Sequence, residues 1–272
     1  MDWFESILFG LISGLTEFLP VSAQAHEALM LKMFGASATP LLRLVIHGAA
    51  LLALYQSCAE LISAMFREQR LLRIPPRRRK RQPDPVKILD MRLLRTASIV
   101  LALGFLAYSR LSQWQFNLQF IAAVLVVNGI LLYIPMHMAT GNKDSRSMSQ
   151  LDAVLLGLAG ALAMVPGISR VGMVTSTGIA RGADREQALR WSLLLCIPAL
   201  VILIGIDVYG IITGGLGTVA IVQTVLAAVA AYGGACSGIR LMRFMAVRAG
   251  FSSFAYYCWG AALFSFIMYL TV

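Results

Sequence analysis

Long apolar blocks, broken at intervals by short polar knots, run the length of the chain. They read as helices, since a membrane span needs about 20 apolar residues and the alternation of a β-barrel is absent. Residues 3–19 form an apolar helix ending at Pro20, and residues 22–34 a short amphipathic piece ending at Gly35. Neither is a clean span. Together they read as a re-entrant hairpin, which is stable only if its non-helical turn is buried in protein or lines a cavity. Full spans follow at about 40–65, 93–111 and 117–136. The basic stretch 67–92 reads as a solvated linker, and Trp114 as an interfacial anchor. After a polar midpoint linker at 137–150 the plan repeats. A helix at 151–165 ends at Pro166, a piece at 168–181 ends at Arg181-Gly182, and spans fall at about 187–212, 217–243 and 251–271. The predicted fold class is all-α integral membrane, with about six transmembrane helices and two re-entrant helical hairpins.

The shared order of elements predicts inverted repeats, about 1–136 and 151–272, within a single polytopic domain, 1–272. The turns also share a weak match: Leu8-x-Gly10-Leu11 through Leu19-Pro20-Val21-Ser22 resembles Leu155-x-Gly157-Leu158 through Val165-Pro166-x-x-Ser169. Charge gives the orientation. Cytoplasmic segments carry the excess of Lys and Arg, which puts 67–92, 137–150, the Arg181, Arg185 and Arg190 segment, and the Arg240, Arg243 and Arg248 segment inside. The piece between 150 and 181 therefore dips in and returns. By the same count the N-terminal hairpin opens to the other side. Broken helices that meet near the midplane are the mark of inverted-repeat membrane proteins.

Composition agrees: 58% of the 272 residues are hydrophobic and 13% charged, with a mean hydropathy of +0.76. A soluble domain carries about twice that charge. The net charge of +10 is concentrated, since eleven of the 23 Lys and Arg lie between Arg67 and Arg95. The positive-inside rule and contact with anionic lipid account for it, and no nucleic acid is expected. The cysteines, Cys58, Cys196, Cys236 and Cys258, lie in apolar segments without a C-x-x-C pair and read as small buried hydrophobes. No cleavable signal peptide is expected, because Asp2 and Glu5 stand where a basic n-region would be.

The candidate chemistry sits in the two knots. The first, Gly14 to His26, puts Glu17, Ser22 and His26 around Pro20 in an otherwise oily stretch. Ionisable groups at membrane depth are costly and usually functional. Glu17 suits a metal ligand or a general base, or a carboxylate satisfied by a neighbouring helix. His26 suits a proton donor, a base or a satisfied core histidine. Ser22 can equally cap the helix that follows. In the second knot, Pro166-Gly167-Ile168-Ser169-Arg170, an arginine at a helix start makes an oxyanion site suited to phosphate, to which Ser169 adds a donor; the alternative is an arginine snorkelling to the interface. A Glu, His, Ser and Arg set suits phosphoryl transfer with a divalent cation, and a membrane setting implies a lipid phosphate.

Glu-Phe-Leu-Pro-Val-Ser-x-x-x-His (17–26) and Pro-Gly-Ile-Ser-Arg (166–170), in the two halves of an oily chain, resemble the undecaprenyl-pyrophosphate phosphatase, or bacitracin-resistance, family. The resemblance implies hydrolysis of undecaprenyl pyrophosphate to the monophosphate, with Mg²⁺ or Ca²⁺, at a site opening outward in the bacterial cytoplasmic (inner) membrane. It implies Glu17, His26 and Arg170 as catalytic, Glu17 as the metal ligand, and Ser22, Ser169, Arg170, Thr175 and His47 as substrate-binding. The expected partners are a polyprenyl (pyro)phosphate lipid and the membrane, and a homodimer is compatible with this reading.

The chain also departs from the family pattern. The first glutamate of the family's Glu-x-x-x-Glu motif falls at Ser13, and the second hydroxyl of its Pro-Val-Ser-Ser stretch falls at Ala23. A later serine and threonine of the second motif fall at Val171 and Val174, with Thr175 one place on. A weakened relative that binds or translocates polyprenyl phosphate is the alternative these losses suggest. A small-anion transporter has only Arg170 and the fold in its favour. Glu27 is a candidate substitute for the absent carboxylate, but one residue along the helix it is expected to point about 100° away from His26. Arg43 and His47 share a face of the first full span, where they line the cavity or pair with Glu60 or lipid. Asp207 is expected to partner an arginine.

Overall fold

Side-chain caps and prolines set the helix ends. Asp2 accepts from the Glu5 backbone N–H while Glu5 reaches back, a capping box that starts α1 (Trp3–Glu17). Ser22 caps α2 (Ala23–Met33) and Thr39, followed by Pro40, caps α3 (Pro40–Leu72). Then come α4 (Pro85–Ser109), α5 (Leu118–Met136), α6 (Gln150–Leu162), α7 (Arg170–Ala180), α8 (Arg185–Gly214), α9 (Ile221–Val247) and α10 (Ser252–Thr271). Asn117, Ser149, Ser169 and Asp184 start α5, α6, α7 and α8 in the same way. This computed structural model describes residues 1–109, 117–138, 141–216, 220–247 and 251–271. Trp114 and Arg248 lie outside them.

The described residues are all-α apart from one 3₁₀ turn, Pro76–Arg78, and one isolated bridge, Lys143 to Ala183. Among the described residues, five helices are long and apolar enough to cross a membrane: Pro40–Leu72, Leu118–Pro135, Arg185–Gly214, Ile221–Ala246 and Ser253–Thr271. The sixth expected span, 93–111, belongs to α4, whose first half carries Lys87, Asp90, Arg92 and Arg95 and whose expected end falls at residues outside those described. Outward faces are apolar: Ile221, Val229 and Leu270 are each about two-thirds exposed or more, as lipid-facing positions are.

The basic stretch differs from the linker expected at 67–92. Most of it is the two ends of α3 and α4. Glu68, buried on α3, accepts from Arg81 at 2.5 and 3.0 Å and from the Asp84 backbone N–H at 3.0 Å, so the connection folds back on the helix end. The last arginine of the Arg77–Arg81 run is thus paired with a buried carboxylate. The same end of the molecule gathers other charges: Arg190 donates to Asp90 at 2.7 Å, and Arg243 to the Ser57 carbonyl at 3.0 Å.

Short helices α1 and α2 form one pair and α6 and α7 another. The first pair is wedged in by α1 packing along α9, the second by α4 against α6 and α8 against α7. Close approach of α1 and α9 needs small residues. A Cβ on Gly10 or Gly14 would run into the backbone of Ala227 or Ala231. Gly14→Val is therefore expected to lower stability by about 1–3 kcal/mol or more, read as a fall in the thermal midpoint in detergent. Gly233→Ala on α9, where a Cβ meets nothing, should not lower it.

Candidate active site

Each short helix pair is joined by a turn at a proline, and the two turns meet. The Ser22 hydroxyl accepts from the Gly167 backbone N–H at 3.1 Å as well as from Ala25 N–H at 3.4 Å. In return Ser169 Oγ donates to the Leu19 carbonyl at 3.0 Å and accepts from Gly172 N–H at 3.2 Å. Asn128, wholly buried on α5, clamps both turns: its Nδ2 donates to the Pro20 carbonyl at 3.2 Å and its Oδ1 accepts from Ser169 N–H at 2.9 Å. Backbone groups freed by the broken helices are thereby satisfied without water. The turn conformations are tight. Gly167 has φ 107°, and Ser22 has φ 67°, a region that costs a non-glycine residue about 1–3 kcal/mol and tends to mark functional sites.

This junction brings Glu17, the last residue of α1, to Arg170, the first of α7. Arg170 Nη1 lies 2.5 Å from Glu17 Oε1, and both side chains are nearly buried. Each charge alone sits at the unfavourable end of its helix dipole, a carboxylate at a C-terminus and a guanidinium at an N-terminus. Paired, they offset that cost. Arg170 Nε has no hydrogen-bond partner, nor does Gln24 Oε1. Both residues line a crevice of about 20 Å³ with Thr16, Glu17, Ala23 and Ser169. That is room for about one water; a pyrophosphate enters only if the ion pair opens.

The other expected site residues are placed differently. His26 does not line the crevice. Its Nδ1 faces the Ser22 carbonyl at 2.8 Å, which makes it the protonated nitrogen, and its Nε2 accepts from the Tyr257 hydroxyl at 2.7 Å. Together with Tyr257, His26 borders an apolar groove of about 430 Å³ lined by Ile12, Leu29, Met30, Met33 and Phe264. Thr175 is fully buried on α7 with its hydroxyl unpartnered and does not line the crevice. His47 pairs with Asp207 at 2.6 Å, so Asp207 serves an imidazole rather than the arginine expected for it. The hydroxyls of Ser22 and Ser169 hold the turns in this state. Cys58, Cys196, Cys236 and Cys258 are free, and all but Cys236 are buried.

Over residues 6–264 the sequence matches the family described as bacitracin resistance protein BacA. The chain belongs to this family. It is similar to an undecaprenyl-diphosphatase of a Nocardioides species, 33% identical over 207 residues that cover 74% of this chain and 73% of the relative. An undecaprenyl-diphosphatase of Micrococcus luteus is 32% identical over 206 residues, 74% and 72% of the two chains. One of Alkaliphilus metalliredigens is 30% identical over 264 residues, 95% and 96%. With its five long apolar helices, the chain is a multi-pass membrane protein.

No group of three or more His, Cys, Asp or Glu able to hold a metal converges among the described residues. Hard oxygens are nonetheless present. Glu17 and the buried, unpartnered Gln24 Oε1 both line the crevice. Mg²⁺ is commonly held by one or two carboxylates and completed by substrate phosphates and water, and this donor set fits that pattern.

Sequence reasoning missed Asn128 and Tyr257. A lone asparagine in the apolar span Leu118–Pro135 was a signal for the first. Nothing in the sequence singled out Tyr257 among eight tyrosines. Asn128→Ala orphans the Ser169 N–H and leaves the Pro20 carbonyl only the weak Cys258 thiol donor at 3.6 Å. It is expected to destabilise the protein by about 1–3 kcal/mol per orphaned group, seen as a lower unfolding midpoint in detergent, with the order of the two turns lost.

Proposed function

We propose that this protein hydrolyses undecaprenyl (polyprenyl) pyrophosphate to the monophosphate and inorganic phosphate, recycling a cell-envelope lipid carrier. The observation that carries it is the convergence of Glu17 and Arg170 from opposite halves of the chain, at 2.5 Å, in a chain of this family. The relatives' names favour hydrolysis over translocation.

In this reading Arg170 exchanges its carboxylate for the terminal phosphate, which it grips bidentately at the N-terminus of α7. Nε and the remaining guanidinium nitrogens supply the donors. Glu17, once parted from Arg170, would hold the divalent cation, Mg²⁺ or Ca²⁺, which when bound would supply Lewis-acid charge. Water attacks the terminal phosphorus, its hydroxyl joins the released phosphate, and the P–O–P bond breaks toward the lipid monophosphate. The water proton passes to Glu17, the carboxylate at the crevice, while His26, held by Tyr257, borders the adjoining apolar groove. Ser22 and Ser169 keep the turns in register around the bound phosphate. His47, paired with Asp207, adds positive character near the acidic groups, and Thr175 backs α7. The apolar groove beside His26 takes the first isoprene units.

The finer architecture belongs to the same proposal. The pairs α1–α2 and α6–α7 are re-entrant hairpins of an inverted repeat in one domain, with α1 and α6 too short at 15 and 13 residues to cross. The basic ends of α3 and α4 face the cytoplasm of a bacterial inner membrane and the site opens outward. The clustering of Arg190 with Asp90 and Arg243 with Ser57 at one end supports that orientation.

Phosphate release from a C15 or C55 polyprenyl pyrophosphate in detergent with Mg²⁺ or Ca²⁺ tests the activity. Glu17→Ala and Arg170→Ala are each expected to reduce it about 10²–10³-fold, the usual loss for one charge-stabilising group. Intact lipid binding without turnover in the unmodified protein would overturn the reading. Gly260→Phe fills the groove beside Tyr257, where a Cβ meets open space. It should raise KM for both lipids and change kcat little.

A further inference from the structure

A second cavity, of about 410 Å³, lies between α3, α8 and α9. We infer that it binds the headgroup of an amine-bearing phospholipid, a phosphate diester joined by a short linker to a primary ammonium. The cavity shares no lining residue with the Glu17–Arg170 crevice or with the groove beside His26. The assignment therefore stands apart from the phosphatase reading.

The charges on its wall come in both signs. Arg190 and Arg243 supply guanidiniums, and Glu60 and Glu186 supply carboxylates. Each guanidinium is anchored by one nitrogen: Arg190 Nη2 donates to the buried Asp90 at 2.7 Å, and Arg243 Nη2 to the Ser57 carbonyl at 3.0 Å. A guanidinium carries five N–H donors, so both keep donors for an anion. Glu60 and Glu186 close no ion pair among the described residues. A simple anion would gain the two arginines but face two carboxylates, and a simple cation the reverse. A ligand carrying both charges meets all four groups with the sign each needs.

The place of these charges along the helices points to a lipid. On α3 no charged residue falls between His47 and Glu60, on α8 none between Arg190 and Asp207, and on α9 none between Ile221 and Arg240. Glu60 and Arg190 thus mark the end of an apolar run, and Arg243 follows Arg240 by three residues at the end of another. Apolar runs end where a span meets the lipid headgroups. Leu61, Leu189, Leu193 and Ala246 form the apolar part of the wall, against which the glycerol and the first methylenes of the chains can lie. The volume falls within the range of about 300–1,000 Å³ typical of small-molecule sites. A primary ammonium has three N–H donors for the two carboxylates. A trimethylammonium headgroup has none, and a glycerol headgroup has no positive charge.

The test is native mass spectrometry of the full-length protein, delipidated in detergent. It is titrated with phosphatidylethanolamine, phosphatidylglycerol and phosphatidylcholine of identical chains, and with glycerophosphoethanolamine as the headgroup alone. Phosphatidylethanolamine is expected to bind at least about threefold more tightly than the other two lipids, as charge-assisted hydrogen bonds would give. The double variant Glu60→Gln/Glu186→Gln should lose that preference, and Arg243→Gln should weaken binding of all three. Glycerophosphoethanolamine at equal concentration should not compete. Phosphatidylglycerol bound as tightly as phosphatidylethanolamine by the unmodified protein would overturn the assignment and leave a plain anion site. An undiminished preference in the double variant would overturn it too, by placing the lipid elsewhere. Competition by glycerophosphoethanolamine would overturn the lipid as occupant in favour of a soluble ester of the same headgroup. Both carboxylates are exposed, so the double variant is expected to fold even where Arg243→Gln does not, and its preference alone decides.

Discussion

Backbone groups set free by two broken helices, in a place without water, are the constraint on which this structure rests. At Pro20 and Pro166 the intrahelical ladder stops, and each unpaired N–H or C=O in an apolar interior costs several kcal/mol, on the order of a lost hydrogen bond or more. The protein satisfies them by pairing one turn with the other. Ser22 takes the Gly167 N–H, Ser169 gives to the Leu19 carbonyl, and Asn128 holds Pro20 and Ser169 at once. The exchange is reciprocal, so neither turn is stable in this form without its partner.

Function follows from what that exchange places next to it. Locking the turns puts the C-terminus of α1 against the N-terminus of α7, and so Glu17 against Arg170. Two charges that oppose their own helix dipoles are held together until an anion arrives. The crevice of about 20 Å³ shows how tightly the pair closes it. A phosphate at Arg170 would be favoured by both the guanidinium and the helix terminus. Under the proposed function its arrival would release Glu17, so that anion and cation binding would be coupled through one ion pair.

Much of this was legible in the sequence. Prolines after Leu19 and Val165 marked the broken helices, because a proline cannot continue the ladder. Glu17 and Arg170 stood out because charges in oily segments are costly, and the family resemblance linked them. What was not legible depends on rotation and on tertiary partners. His26 lies in the first knot with Glu17, and only the packing of α10 decides that its ring meets Tyr257 and not the crevice. Asp207 was an unpaired acid until α3 brought His47 beside it. The basic stretch 67–92 read as a linker because charge runs are usually solvated, but α3 and α4 extend into it, and Glu68, thirteen residues from Arg81, ties the connection back to α3. Hydroxyls expected on the substrate hold the turns instead, a role invisible without the opposite turn.

The most direct test of the account is an experimental structure of the protein with a non-hydrolysable polyprenyl methylenediphosphonate and Mg²⁺ or Ca²⁺. The account expects the diphosphonate between the two turns, Arg170 on its terminal oxygens, and Glu17 released from the guanidinium while the Ser22, Ser169 and Asn128 bonds persist. A diphosphonate bound elsewhere, with the Glu17–Arg170 pair still closed, would contradict it.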